Sequence, residues 1–149
     1  MKISTKGRYA TRALLDIAQH YGKNPVFLKD ISARQGISLR YLEQIMSPLI
    51  SAKIINSTRG PKGGVMLAKP ANKIKLVDII QLLEGPIAPV ECVSNPGVCT
   101  RAPSCATRDV WSDLAQAMYG VLESTSLQDL VERQNKKDPE REKTYDIKK

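Results

Sequence analysis

From the first turn onward the hydrophobic positions of the chain recur at helical spacing, and near residue 54 they switch briefly to the alternation of strands. Tyr9, Ala10, Leu14, Ile17, Ala18 and Tyr21 share one face of a helix that Ser4 or Thr5 can cap and that runs to about residue 21, with Lys6, Arg8 and Arg12 opposite. Leu28–Gln35 reads as a short amphipathic helix, and Gly36-Ile37 as a turn in which glycine can take positive φ. Ser38 is an N-cap for a further helix from Leu39 to about residue 52. Leu42, Ile45, Met46, Leu49 and Ile50 form the apolar stripe of that helix. Residues 54–59 and 65–68 are strand-like, separated by Gly60-Pro61-Lys62-Gly63-Gly64, which is turn chemistry with a cation at its tip. The pattern predicts a helix-turn-helix followed by a β-hairpin wing, which would lay its second helix in a DNA major groove.

Pro70-Ala71-Asn72 interrupts the pattern before a helix over Leu76–Glu84, apolar at Leu76, Ile79, Ile80 and Leu83. Gly85-Pro86 ends it, and Pro86, Pro89, Pro96 and Pro103 make the segment through Cys105 a loop. Thr107 can cap a long helix to about Ser124, on which Val110, Trp111, Leu114, Ala115, Ala117, Met118, Val121 and Leu122 cover more than one stripe. So broad an apolar surface calls for two partners, the chain's own domain and a second subunit. Ser126 begins a short last helix with Leu127, Leu130 and Val131, and the charged sequence from Asn135 is expected to be a disordered tail. The expected fold is mainly α with a small β-hairpin wing: a winged helix-turn-helix plus a long dimerisation helix. Its divisions are a DNA-binding domain over 1–84, a cysteine loop over 85–106, a dimerisation helix and C-terminal helix over 107–134, and the tail over 135–149.

Charge sharpens this picture. The net charge of the 149 residues is +8, and residues 1–70 alone carry +9 while the remainder carries −1. The excess basicity therefore travels with the helix-turn-helix, as phosphate neutralisation requires. The apolar runs are interrupted well short of the roughly 18 residues that a membrane span needs, and the N-terminus lacks the apolar core of a signal peptide, so a cytoplasmic protein without membrane contact is expected. One histidine, no glycine-rich nucleotide loop after a strand and no recognisable nucleophile–base pair argue against an enzyme.

The N-terminal residues of a recognition helix reach base edges, which makes Ser38, Arg40, Tyr41 and Gln44 the candidate contacts. Arg can grip guanine and Gln adenine through paired hydrogen bonds, whereas Tyr more often holds a phosphate. Glu43 is repelled by phosphates and only accepts hydrogen bonds, so its expected role is discrimination between sites. Arg59 and Lys62 flank a wing tip narrow enough for a minor groove. Ser4, Thr5 and Lys6 at a helix N-terminus are a candidate phosphate contact, with an ordinary cap beside exposed cations as the alternative. His20, in the last turn before Gly22, suits the C-terminal end of a helix dipole better than a metal.

All the cysteines, Cys92, Cys99 and Cys105, lie in the proline-rich loop, which points to a metal site more than to a disulfide framework. Thiolates select zinc, copper(I) or iron–sulfur clusters, and paired CxxC knuckles that favour structural zinc are absent. Free redox-active thiols and a zinc-stabilised interaction module remain the other readings.

Lys6-Gly7-Arg8-Tyr9-Ala10, Ile31-Ser32 with Gln35-Gly36-Ile37-Ser38, Tyr41-Leu42-Glu43-Gln44, Arg59-Gly60-Pro61 with Gly63-Gly64, and the cysteines ahead of Trp111 together resemble the IscR-type regulators, from a winged-helix family that includes NsrR and RirA. The resemblance spans about residues 1–134. It implies a homodimer on pseudo-palindromic double-stranded promoter DNA, with an iron–sulfur cluster on each cysteine loop whose occupancy alters site choice, controlling cluster-biogenesis genes. A cluster-free repressor of the same fold, responding to thiol oxidation or nitric oxide, is the alternative. The chain departs from the resemblance in two ways. IscR-type chains keep the two cysteine gaps equal, whereas here they are unequal, and they carry a histidine where this chain has Arg108, which cannot ligate. The fourth ligand is thus open among Glu91, Asp109, His20 and a group from the other subunit. So is the cluster: 2Fe-2S by likeness to IscR, 4Fe-4S by likeness to NsrR and RirA.

Overall fold

Ser4 sets where the first helix begins. Its hydroxyl accepts a hydrogen bond from the Gly7 N–H at 3.1 Å, so α1 runs Thr5–Ala18, and His20 and Tyr21 fall in the turn beyond it. The helix thus stops short of residue 21, and Tyr21 is exposed rather than part of the apolar face. The computed structural model describes residues 3–139. α2 spans Leu28–Gln35 and stops at Gly36, whose φ of 64° is the left-handed conformation that glycine adopts without a Cβ clash. α3 spans Leu39–Ser51, capped by Ser38, whose side chain accepts from the Tyr41 N–H at 3.3 Å. Leu42, Ile45, Met46 and Leu49 are buried as the stripe predicts, but Ile50 is exposed.

The wing is β1 (Ile55–Thr58) paired antiparallel with β2 (Gly64–Leu67), with Ile55 opposite Leu67 and Thr58 opposite Gly64. Val26 adds a partner on the far edge of β2: its N–H and C=O each bond Val65 at 2.8 Å. The extended backbone there passes so close to Gly64 that a Cβ on that glycine would lie 2.6 Å from the Val26 carbonyl oxygen. No apolar alternation marked this edge in the sequence.

A 3-10 turn at Ala71–Lys73 leads into α4, Leu76–Glu84. The segment expected as a plain loop contains one turn of helix, α5 (Glu91–Ser94), and 3-10 turns at Pro96–Val98 and Ala102–Ser104. α6 spans Ala106–Ser124 with Cys105, not Thr107, at its N-cap position. Thr107 lies inside the first turn, and its hydroxyl meets the Cys105 sulfur at 3.1 Å instead. Of the apolar residues of α6 only Ala115 is buried within the chain, while Val110 and Val121 are 58% and 66% exposed and Trp111, Leu114 and Tyr119 are exposed beside them. The helix therefore leaves one broad apolar side, with Val110, Trp111, Leu114 and Val121, uncovered.

α7 spans Leu127–Lys137, so the helix continues past Asn135, where the sequence places the tail; residues 140–149 lie outside the described residues. It returns to the N-terminal half. Leu127 is fully buried in the same core as Leu14, Ile31, Leu42 and Ile55, and Leu130 and Val131 pack against it. A bridge from Lys75 to Ser126 fixes the approach, with the Leu76 N–H on the Thr125 carbonyl at 2.9 Å and the Leu127 N–H on the Ile74 carbonyl at 3.0 Å.

α1 also buries a charge. Asp16 of α1 is fully buried and accepts two hydrogen bonds from Arg34, at 2.6 and 2.9 Å, and one from Gln35 at 2.9 Å. Removing Arg34 would strand a carboxylate in an apolar interior, whereas removing both charges would not. Arg34→Met is expected to cost about 2–3 kcal/mol, less than a fully buried pair because the arginine side chain is 28% exposed, and Asp16→Leu combined with Arg34→Met less than Arg34→Met alone. Urea unfolding of the two variants measures the difference.

A capping box closes the start of α7: the Ser126 hydroxyl and N–H both donate to Asp129, at 2.6 and 2.7 Å, and the Asp129 N–H donates back to the Ser126 hydroxyl. These bonds, the hydroxyl's first and then the N–H's, hold the Asp129 carboxyl below its usual pKa. A depressed native pKa contributes stability above the unfolded value, near 3.9, and loses it as pH falls through the native value. The stability gap between wild type and Asp129→Asn is therefore expected to be full at neutral pH and to close below about pH 4, as thermal midpoints across pH would record.

Candidate nucleic-acid interface and thiol loop

The outer face of α3 carries Arg40, Glu43, Gln44 and Ser47, all exposed, with Ser38 exposed at its cap. Tyr41 is half-buried because its ring stands edge-on to Tyr9 of α1, with centroids 6.1 Å apart and planes at 80°. Arg12 lies over the Tyr9 ring, 5.5 Å from its centroid, and its guanidinium donates to both the side-chain and backbone oxygens of Gln35. The sequence grouped Arg12 with outward cations. In the structure it ties α1 to the end of α2 and backs the ring on which Tyr41 rests, a role no single-helix pattern reveals.

Arg59 and Lys62 are exposed on the wing, on either side of a tip closed by the Gly63 N–H on the Gly60 carbonyl at 2.9 Å. A side chain at Gly63 would strike the Thr58 carbonyl, so this tightness requires glycine. At the start of α1, Thr5 is exposed and receives a bond from Arg8 at 3.4 Å, while Lys6 is half-buried. The anion at this helix end is internal: the Ser4 hydroxyl donates to the carboxylate of Glu84. His20 donates from Nδ1 to the Asp16 carbonyl at 2.7 Å, the helix-terminal role its position suggests.

Cys92 lies in α5, Cys99 follows the first 3-10 turn and Cys105 precedes α6; all three are free thiols of intermediate exposure. Cys105 is held below its usual pKa first by the Thr107 hydroxyl and then by the Arg108 backbone N–H, against the opposing effect of burial. Arg108 Nε donates to the Cys92 carbonyl at 2.9 Å, and an open hollow of about 550 Å³ is lined by Cys99, Arg108, Pro96 and Pro103. The donor set fits a thiophilic centre in kind, being three thiols on one short loop. Among the described residues no three of Cys, His, Asp and Glu converge closely enough to hold a metal ion, although the charge of Asp109 is felt at Cys105.

The family described as Rrf2, "Iron-dependent Transcriptional regulator", matches residues 3–133. The chain belongs to the Rrf2 family. Protein rrf2 of Nitratidesulfovibrio vulgaris is 46% identical over 88% of this chain and 87% of its own length, and the transcriptional regulator IscR of Photorhabdus laumondii is 42% identical over 90% and 81%. Among solved structures, CymR, the global cysteine regulator of B. subtilis, superposes with a TM-score of 0.78 at 39% identity, covering 89% of this chain and 98% of that one. T. potens IscR gives 0.77 at 36%, covering 93% and 91%. The winged-helix reading and the likeness to IscR-type chains both hold, and this Rrf2 member is a DNA-binding transcriptional regulator. No helix among the described residues is long and apolar enough to cross a membrane.

Arg59→Ala is expected to weaken DNA binding and to lower the slope of log affinity against log salt by about one phosphate's worth. Titrations of labelled duplex at several salt concentrations read both effects. An unchanged slope would take Arg59 out of the interface.

Proposed function

We propose that this Rrf2 protein is a homodimer that reads pseudo-palindromic promoter DNA through α3 and the wing, and whose choice of sites follows an iron–sulfur cluster held by Cys92, Cys99 and Cys105. The observation that carries this reading is the confinement of all three free thiols to the segment joining α4 of the DNA-binding core to α6. The uncovered apolar side of α6, with Ile3 beside Met118 and Leu122 along a groove, favours a second copy as its cover. Ser38, Arg40 and Gln44 are assigned to base edges, Tyr41, Thr5 and Lys6 to backbone, Glu43 to discrimination, and Arg59 and Lys62 to the groove beside the wing.

When bound, the cluster supplies a thiolate-held crosslink whose presence depends on iron supply and oxidants. The chain's own residues carry the consequence. Glu84, the last residue of α4, contacts the cap of α1, and the cysteine segment begins at the next residue. Ordering that segment therefore bears on the helix that positions Tyr41. A tenfold change in site preference needs a difference of only about 1.4 kcal/mol between the two arrangements. Genes of cluster assembly are the proposed targets.

Iron, acid-labile sulfide and zinc per chain, measured on protein isolated without oxygen, test this reading together with promoter binding by the triple alanine variant of the cysteines. About two iron and two sulfide fit 2Fe-2S and about four of each fit 4Fe-4S; the variant is expected to lose the site preference of the loaded form and keep general DNA affinity. A variant that binds every promoter as the loaded protein does sinks the coupling. Zinc alone removes the cluster, and a metal-free protein moves sensing to the thiols themselves.

A further inference from the structure

Arg108 bonds to two of the three cysteine positions of the loop and lines a hollow with the third. Its Nε donates to the Cys92 carbonyl at 2.9 Å, its backbone N–H donates to the Cys105 carbonyl at 3.1 Å, and its side chain walls the hollow that Cys99 also lines. α5 has four residues, too few for its later carbonyls to find partners inside the helix. The Glu91 carbonyl takes the Asn95 N–H at 2.8 Å, while that of Cys92 takes the guanidinium. A guanidinium is permanently charged, planar and purely a donor, so at this position it can hold a carbonyl but cannot ligate a metal.

We propose that Arg108 is the positioning residue of the thiol loop, clamping the turn that bears Cys92 to the start of α6 beside Cys105. The loop is thereby partly ordered before any metal arrives, and a ligand that binds it has less conformational entropy to overcome. Where the IscR-type pattern carries a histidine ligand, this chain carries a residue that holds the backbone of the loop. The metal-binding consequence rests on the cluster reading, while the clamp itself does not.

Metal-free, fully reduced protein is treated with iodoacetamide, and alkylation of each cysteine is followed by mass spectrometry in wild type, Arg108→Ala and Arg108→Lys, with thermal unfolding as the control for fold. The clamp predicts that Arg108→Ala speeds alkylation at Cys92 about fivefold, the effect of one lost hydrogen bond, and that Arg108→Lys, whose ammonium can still donate to a carbonyl, restores much of the protection. An unchanged Cys92 rate in Arg108→Ala overturns the proposal. So does acceleration at all three cysteines with a lowered melting temperature, which is general loosening. Iron retained after anaerobic reconstitution is the second readout, expected to fall in Arg108→Ala and to recover in Arg108→Lys. If wild type itself takes up no iron, the cluster reading fails and the alkylation rates still decide the clamp.

Discussion

A carboxylate with no access to water must be matched, and in this protein that constraint falls on Asp16. Its partners come from the end of α2, two bonds from Arg34 and one from Gln35, so the angle between α1 and α2 is fixed by directional bonds as well as by apolar contact. Gln35 also receives Arg12, and Arg12 lies over Tyr9, the ring that supports Tyr41. One buried charge is thus connected, contact by contact, to the recognition helix. Apolar packing alone would hold these helices together with less directional constraint.

The same α1 is the meeting point of the molecule's two ends. α4 packs on it and delivers Glu84 to the Ser4 hydroxyl, and α7 packs on it after the long excursion through α6. A Cβ at Gly7 would meet the tip of the Glu84 side chain, so this glycine leaves room for the carboxylate that the Ser4 hydroxyl reaches. The thiol segment leaves from this junction and comes back as α6, most of whose apolar residues stay exposed among the described residues. A change in the segment has a short physical route to the DNA-contacting helices, through packed elements with few intervening residues.

Legibility in the sequence followed the range of the forces involved. The helix bounds that depend on caps and glycine were readable: Ser38 and Gly36 did in the structure what their chemistry demands locally. The wing was readable because Gly60 to Gly64 can form little except a tight turn, and α4 appeared at its expected limits. Readings that assumed a neighbour fared less well. Ile50 and Tyr21 fit an apolar face by spacing but stay substantially exposed, and Thr107, a good cap by type, spends its hydroxyl on a sulfur.

The sequence by itself determined the helix-turn-helix, the wing, the basic half of the chain and the gathering of its thiols, since each depends on residues a few positions apart. Only the tertiary structure decided that Asp16 is buried, that the exposed Arg12 also reaches Gln35 and Tyr9, that α7 completes the N-terminal core and that Arg108 reaches Cys92. Each of these joins residues brought together by the packing of separate elements. The hydrophobic period shows which side of a helix turns inward, but not which distant charge, ring or carbonyl will be waiting there.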